Sequence, residues 1–275
     1  MPHYILGVRA HDYGRGEPAE LFQKLAADGW TCTQLAFRKA IAGVKTYADV
    51  TPRLIAETRA AMEQTRLYVA VLGTYVELGA MEENKRLAAV RDFITQLPVC
   101  KALSAPCMAS ETTSMEKQPP NTTYAEAQKQ LLKSLETILP EAERIGAIVA
   151  LEPVCHHAMN TPEATRMVLD TMRSENLKVL LDPANLLSRE WVDRQDVLFG
   201  RAMELWGDQI VAVHFKGVRF SGNERCSCSL EESAVDYRAV FRELSGLPQK
   251  ELPVLREEAE PARAASDQAF MRSLI

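Results

Sequence analysis

Long apolar runs, basic clusters and Gly-rich phosphate fingerprints are all missing from this 275-residue chain. No stretch reaches the roughly 18 consecutive apolar residues of a membrane span. The opening MPHYILGVRAHDYG turns polar after one short apolar run, without the charged start and long hydrophobic region of a secretory signal. A cytoplasmic protein that does not engage membranes is the expectation. The formal net charge of −5 and the scatter of Lys and Arg argue against an electrostatic grip on nucleic acid, which generally needs a basic face. Small molecules are the better partner class. Six cysteines in a chain this long do not make the dense framework of a small secreted domain, so reduced thiols are expected. Cys226-Ser227-Cys228 lacks the second pair that a zinc site would need.

Short apolar runs do occur, and they alternate with longer amphipathic segments. The strand-like runs are YILGV (4–8), CTQLAF (32–37), LYVAVLG (67–73), VCKALSAPC (99–107), AIVAL (147–151), LKVLL (177–181), QIVAV (209–213) and LPVLR (252–256). Eight helical patterns separate and follow them. Thr51-Pro52 and Thr161-Pro162 pair an N-cap hydroxyl with proline at the first helical position. Gly29, Gly146 and Gly207 fall where helices should end in left-handed caps. Apolar strands without polar alternation belong to a parallel sheet buried on both faces. Eight strand and helix units at about 34 residues each predict a closed (β/α)₈ TIM barrel, one α/β domain over residues 1–275. An open doubly wound sheet is the structural alternative, but no G-x-G-x-x-G follows any strand. Segments 108–122 and 216–234 read as long loops on the C-terminal face, where binding residues concentrate.

Four side chains sit just past apolar runs on successive predicted strands: Glu152 after IVAL, Asp182 after KVLL, His214 after IVAV and Glu257 in PVLRE. A parallel barrel delivers all its strand C-termini to one mouth, so these four converge although they lie far apart in sequence. Each alone has a bland reading, such as an N-cap, a solvated loop acid or a backbone-satisfied histidine. Three carboxylates and one imidazole together are the donor set of one divalent ion.

The motifs ALEPV (150–154), VLLDPANLL (179–187), IVAVHFKG (210–217), AVDYRAVFREL (234–244) and LPVLREE (252–258) resemble the xylose-isomerase-like TIM-barrel family of sugar isomerases and epimerases, which also contains apurinic endonucleases. The resemblance implies one divalent metal, manganese first, with magnesium, cobalt or zinc as alternatives. It would be held by Glu152, Asp182, His214 and Glu257. It also implies that Glu152 and Glu257 form the acid and base pair. Glu258 competes for the last position, because a one-residue slip of the strand reverses side-chain direction. The chain departs from the family pattern in three places: Asn185 stands where a histidine is common, Gly217 where an aspartate follows the lysine, and Ala158 where ketose epimerases carry a glutamate. Asn185 can hydrogen-bond a substrate hydroxyl but cannot titrate. With five histidines in all, a three-metal nuclease site is poorly supplied.

Weaker candidates for the substrate pocket are His11, Glu77, His157, Lys216 and Arg219, with His156 pointing elsewhere; any of them could equally be a solvated loop residue. The implied reaction is proton transfer next to the carbonyl of a sugar or polyol through an enediolate held by the metal, giving an isomerase or epimerase. A metal-dependent dehydratase or lyase on a keto-polyol is the alternative, with a phosphodiester hydrolase or a non-catalytic sugar-binding barrel behind it. Self-association is left open.

Overall fold

Apolar segments too short to satisfy their own backbone groups must pair with one another, and here eight do so in a closed ring. The computed structural model describes residues 2–222 and 224–275. Its barrel strands are β1 (His3–Arg9), β2 (Cys32–Leu35), β3 (Tyr68–Gly73), β4 (Cys107–Glu111), β5 (Val149–Glu152), β6 (Leu177–Leu181), β7 (Ile210–Phe215) and, after an antiparallel hairpin of β8 (Gly217–Ser221) and β9 (Glu224–Cys228), β10 (Glu251–Arg256). All barrel pairs are parallel, and the ring closes where β1 meets β10, with Leu6 beside Val254 and Val8 beside Arg256.

Around the ring lie α1 (Pro18–Ala27), the single turn α2 (Phe37–Ala40), α3 (Pro52–Thr65), α4 (Glu83–Ala102), α5 (Tyr124–Ile145), α6 (Pro162–Met172), the short α7 (Pro183–Leu186), α8 (Gln195–Trp206), α9 (Tyr237–Leu244) and α10 (Ala264–Arg272). Thr51 accepts a hydrogen bond from the Leu54 amide and Thr161 from the Ala164 amide, so both expected N-caps form. Gly29 and Gly146 adopt the left-handed conformation at φ 83° and 64°. Gly207 does not; its φ is −57° because a 3₁₀ turn continues the chain directly toward β7.

Two further sequence expectations are corrected. The run 99–107 is not a strand, because α4 continues through Ala102 and β4 starts only at Cys107. Val90, Phe93, Leu97 and Cys100 are buried at helical spacing, so the apolar run VCKAL is the last turn of a deeply packed helix. Pro98 removes one backbone donor there without ending it. The segment 216–234 is also not all loop: β8 and β9 pair from Gly217 with Cys228 to Ser221 with Glu224 and project from the barrel mouth. Among the described residues no helix is long and apolar enough to cross a membrane.

Two apolar layers hold the barrel. One packs the ring against the helices. The other fills the lumen with small or slender side chains, among them Cys32, Val71, Ala109, Ala150, Leu180, Ala212 and Leu255. Side chains alternate along a strand, so the residue two past each lumen position faces inward again at the C-terminal mouth. Ala150 leads to Glu152, Leu180 to Asp182, Ala212 to His214 and Leu255 to Glu257.

Gly7 marks the tightest approach inside the ring: a Cβ there would stand within 3.0 Å of Cys32 Sγ, the Cys32 carbonyl and Leu255 Cδ2. Gly7→Ala should therefore cost about 1–3 kcal/mol in urea denaturation through overpacking. Gly200→Ala, in the interior of α8 with nothing within 4 Å, should gain roughly 0.5–1 kcal/mol from reduced backbone entropy. Equal responses at the two positions would contradict the packing described.

Candidate metal centre

The four residues singled out in the sequence meet at the mouth. His214 Nδ1 lies 3.3 Å from Glu152 Oε2, 3.4 Å from Glu257 Oε1 and 3.8 Å from Asp182 Oδ2. None of the four is more than 4% exposed. The two adjacent glutamates lie differently. Arg256 points outward into a buried ion pair with Asp267 of α10 at 2.7 Å, Glu257 points into the lumen, and Glu258 is exposed at a left-handed φ of 56°.

Asp182 caps α7 by accepting from the Asn185 amide on Oδ1, which turns its other oxygen into the cluster. His214 Nε2–H donates to Gln34 Oε1, and Gln34 Nε2 donates onward to the Tyr75 hydroxyl at 2.9 Å. That chain fixes the ring with Nδ1 facing the carboxylates. Asn185 Nδ2 donates to Glu152 Oε1, and Arg225 of β9 donates to Asn185 Oδ1 at 2.8 Å.

Lys216 Nζ stands 3.0 Å from Glu257 Oε2 and 3.0 Å from Asp182 Oδ2. It hydrogen-bonds Glu257 and makes an equally close ion pair with Asp182. Its backbone is clamped by Tyr237 of α9, whose hydroxyl donates to the Lys216 carbonyl while accepting from the Lys216 amide. Arg9 of β1 reaches Glu257 Oε1 at 3.2 Å and Asp12 at 2.8 Å.

Burial alone would push the His214 imidazolium toward losing its proton, but Glu257, Glu152 and Asp182 reverse that and hold its pKa at about 9. For Glu257 burial would raise the carboxyl, and His214, Lys216 and Arg9 pull it well below the usual range. Lys216, buried among the same carboxylates, is held well above an ordinary lysine. Glu111, at the end of β4 beside Glu152, is raised to about 7 by burial and then by the neighbouring Glu152 and Glu257 charges.

The weaker candidates separate. His11 stands edge-on to Tyr75 at a centroid distance of 6.1 Å, with Nδ1 buried and unpartnered; burial, then Arg9 and Lys39, lower its pKa to about 3. His157 is buried with Nδ1 3.9 Å from Glu111 Oε2, and burial and His156 bring it to about 3, so it is neutral. Glu77 is paired with Lys117 at 2.5 Å, tying the loop after β3 to the loop after β4. Lys216 faces the carboxylates directly and is not a free loop cation. Arg219 lies exposed on β8, and Arg225 is the hairpin cation that touches the cluster.

Sequence reasoning missed Arg9, Gln34, Tyr75, Glu111 and Arg225. Three of them carried a signal: Arg9, Gln34 and Glu111 each lie two residues past a lumen position, Gly7, Cys32 and Ala109, as the metal-type residues do.

A divalent ion fits three of these four residues, and Glu257 stands outside that group. Glu152, Asp182 and His214 each offer one atom within 4.8 Å of the others. His214 Nδ1 is buried without a hydrogen-bond partner and faces oxygens of Glu152, Glu257 and Asp182 at 3.3, 3.4 and 3.8 Å, so an ion that replaced its proton would be shared by the ring and the carboxylates.

Known structures carry the same architecture. A 3-keto-D-glucoside 4-epimerase from E. coli is similar with a TM-score of 0.74 at 19% identity, covering 98% of this chain and 100% of that one. A D-tagatose 3-epimerase-like protein gives 0.79 at 13% identity over 98% and 96%. The IolI protein, solved with a zinc atom, gives 0.74 at 13% over 98% and 97%. Identities this low speak to the fold. No curated protein sequence matches the chain significantly. The sequence model of the xylose isomerase-like TIM barrel matches residues 22–274, and the chain therefore belongs to that family.

Proposed function

We propose that the protein is a divalent-metal-dependent isomerase or epimerase of a small sugar or polyol, working by proton transfer at the carbon next to a carbonyl. One observation carries this reading. Glu152 and Glu257 approach the same nitrogen of His214, at 3.3 and 3.4 Å, from strands on either side of β7. Two carboxylates are thus held around one small dry volume, the arrangement needed to remove a proton on one side and return it on the other. That the similar solved structures include sugar epimerases supports it.

Glu152, Asp182, His214 and Glu257 would hold the ion. Hard carboxylate oxygens with one imidazole suit manganese first, and magnesium, cobalt or zinc as alternatives. When bound, the ion polarises the carbonyl and stabilises the negative charge that grows on its oxygen.

The protein's own groups do the rest. One glutamate accepts the proton from the carbon, and the bonding pair moves toward the carbonyl oxygen. A proton returned to the opposite face of that carbon inverts it; one returned to the former carbonyl carbon gives the isomer. Glu257 is held ionised by His214, Lys216 and Arg9, and Glu152 Oε1 accepts from the neutral Asn185 amide. Asn185, His11 and His157 would meet substrate hydroxyls as hydrogen-bonding groups. The wall of apolar lumen residues beneath excludes water, which strengthens each of these interactions.

Purified protein should retain about one divalent ion per chain, and uptake should release about one proton as Nδ1 of His214 exchanges its proton for the ion. Asp182→Ala should lower retention with circular dichroism unchanged. Calorimetry in buffers of differing ionisation enthalpy measures the proton, and elemental analysis the ion. Full occupancy in the Asp182→Ala protein would remove this residue from the ligand set.

Turnover in heavy water should place deuterium at the carbon next to the carbonyl. Glu257→Gln should reduce kcat about 10²–10⁴-fold, while the exposed Glu258→Gln remains close to the parent. Mass spectrometry of product and recovered substrate reads the label. Turnover with no label in either, or a stronger effect at Glu258, would count against the acid–base pair proposed.

A further inference from the structure

A cavity of about 400 Å³ opens on the same mouth, between the loops that follow β1, β2 and β3. Arg15, Arg38, Lys39 and Lys45 all line it, and no acidic residue does. All four are exposed on the molecule, where a single cation is ordinary. Their pairing is not: among the described residues, no carboxylate lies within 4.0 Å of any of the four charged groups, although the chain carries 37 Asp and Glu against 32 Lys and Arg.

Other groups hold these side chains. Arg15 donates to the Ile41 and Val44 carbonyls at 3.1 and 2.7 Å. Arg38 donates to the Lys45 carbonyl at 3.0 Å with its guanidinium over the Tyr47 ring. The Lys39 ammonium sits 3.4 Å from the centre of the Tyr75 ring. Backbone and aromatic contacts thus fix the charges in place without neutralising them, which preorganises a concave surface for an anion.

Tyr75 joins the cavity to the metal centre. Its ring carries Lys39 on the cavity side, its hydroxyl accepts from Gln34, and Gln34 accepts from His214. We infer that this cavity binds a terminal oxyanion of the substrate, a phosphate or a carboxylate, at the end remote from the reacting carbonyl. The inference rests on the proposed function for its placement in a sugar site. A neutral sugar would leave four like charges facing one another, whereas an anionic terminus is attracted by all four. Binding energy drawn from this remote group can hold the reacting carbon between Glu152 and Glu257.

The test uses the purified protein and the double variant Arg38→Gln/Lys39→Met, two exposed positions outside the metal centre. Calorimetric titration with inorganic phosphate and, separately, acetate at low ionic strength should show binding to the parent. Affinity should fall at least about tenfold in the variant, and should fall in the parent as salt is added. Thermal unfolding and metal content, unchanged between the two proteins, separate this from a folding defect. In turnover assays, KM for a ketose phosphate or a uronate should rise about tenfold in the variant with kcat nearly constant, while KM for the neutral sugar stays put. Preference for phosphate over acetate assigns the source as a phosphate ester, and the reverse assigns a sugar acid. Equal anion affinity in parent and variant, or no binding of either anion, would overturn the inference even if neutral sugars turn over. Conversely, anion binding lost in the variant, with no sugar or sugar derivative turned over by the parent, would sustain the site and remove the proposed reaction.

Discussion

Three carboxylates buried at the mouth of a closed barrel have to be neutralised, and most of the local architecture follows from that. Glu152, Asp182 and Glu257 are almost wholly removed from water, where an unpaired charge costs several kcal/mol. His214 on β7 and Lys216 just past its end supply compensation, because residues two apart along an extended chain share a face. Arg9 supplies more from β1. Its contact with Glu257 crosses the seam where β1 and β10 close the ring. The charge network therefore ties ring closure to site assembly. Removing one member leaves another buried and unpaired, at about 3–5 kcal/mol.

The compensation is uneven, and the unevenness distinguishes two residues of the same type. Glu257 has a lysine and an arginine on its two oxygens; Glu152 has a neutral amide, itself oriented by Arg225 from the hairpin. The hairpin thus enters the site through one arginine and one asparagine. Its base is set by Gly217, where a Cβ would run into the Cys228 and Ser229 carbonyls, so the aspartate common at this place in the family has no room.

The barrel and the four residues at its mouth were legible in the sequence for the same reason. Strands buried on both faces are uninterrupted apolar runs, and a polar residue at the end of such a run is conspicuous. Glu152, Asp182, His214 and Glu257 are all of this kind, and the lumen alternation that selects Glu257 over Glu258 is a period of two readable once Leu255 is known to face inward. The fourth strand was misplaced because a helix packed on several sides has the same apolar density as a strand; only the spacing of Val90, Phe93, Leu97 and Cys100 tells them apart. Arg225 and Tyr75 left no sequence mark, since they reach the site through the fold of loops. Hairpin β8–β9 was equally hidden: ERCSC and GVRFS have little apolar alternation and bury little against the barrel.

The mouth is electrically two-sided. Carboxylates arrive from β5, β6 and β10, while the unpaired cations arrive from the loops after β1 and β2, and Tyr75 and Gln34 stand between the halves. Net charge conceals this, because −5 over the whole chain is compatible with a strongly positive cavity beside a carboxylate-lined cluster. A ligand with hydroxyl and carbonyl oxygens at one end and an anion at the other would meet complementary potential at both ends in one orientation and opposing potential in the reverse. Separation of charge across the barrel axis therefore fixes the direction in which such a chain lies. That direction decides which of its carbons reaches the paired glutamates.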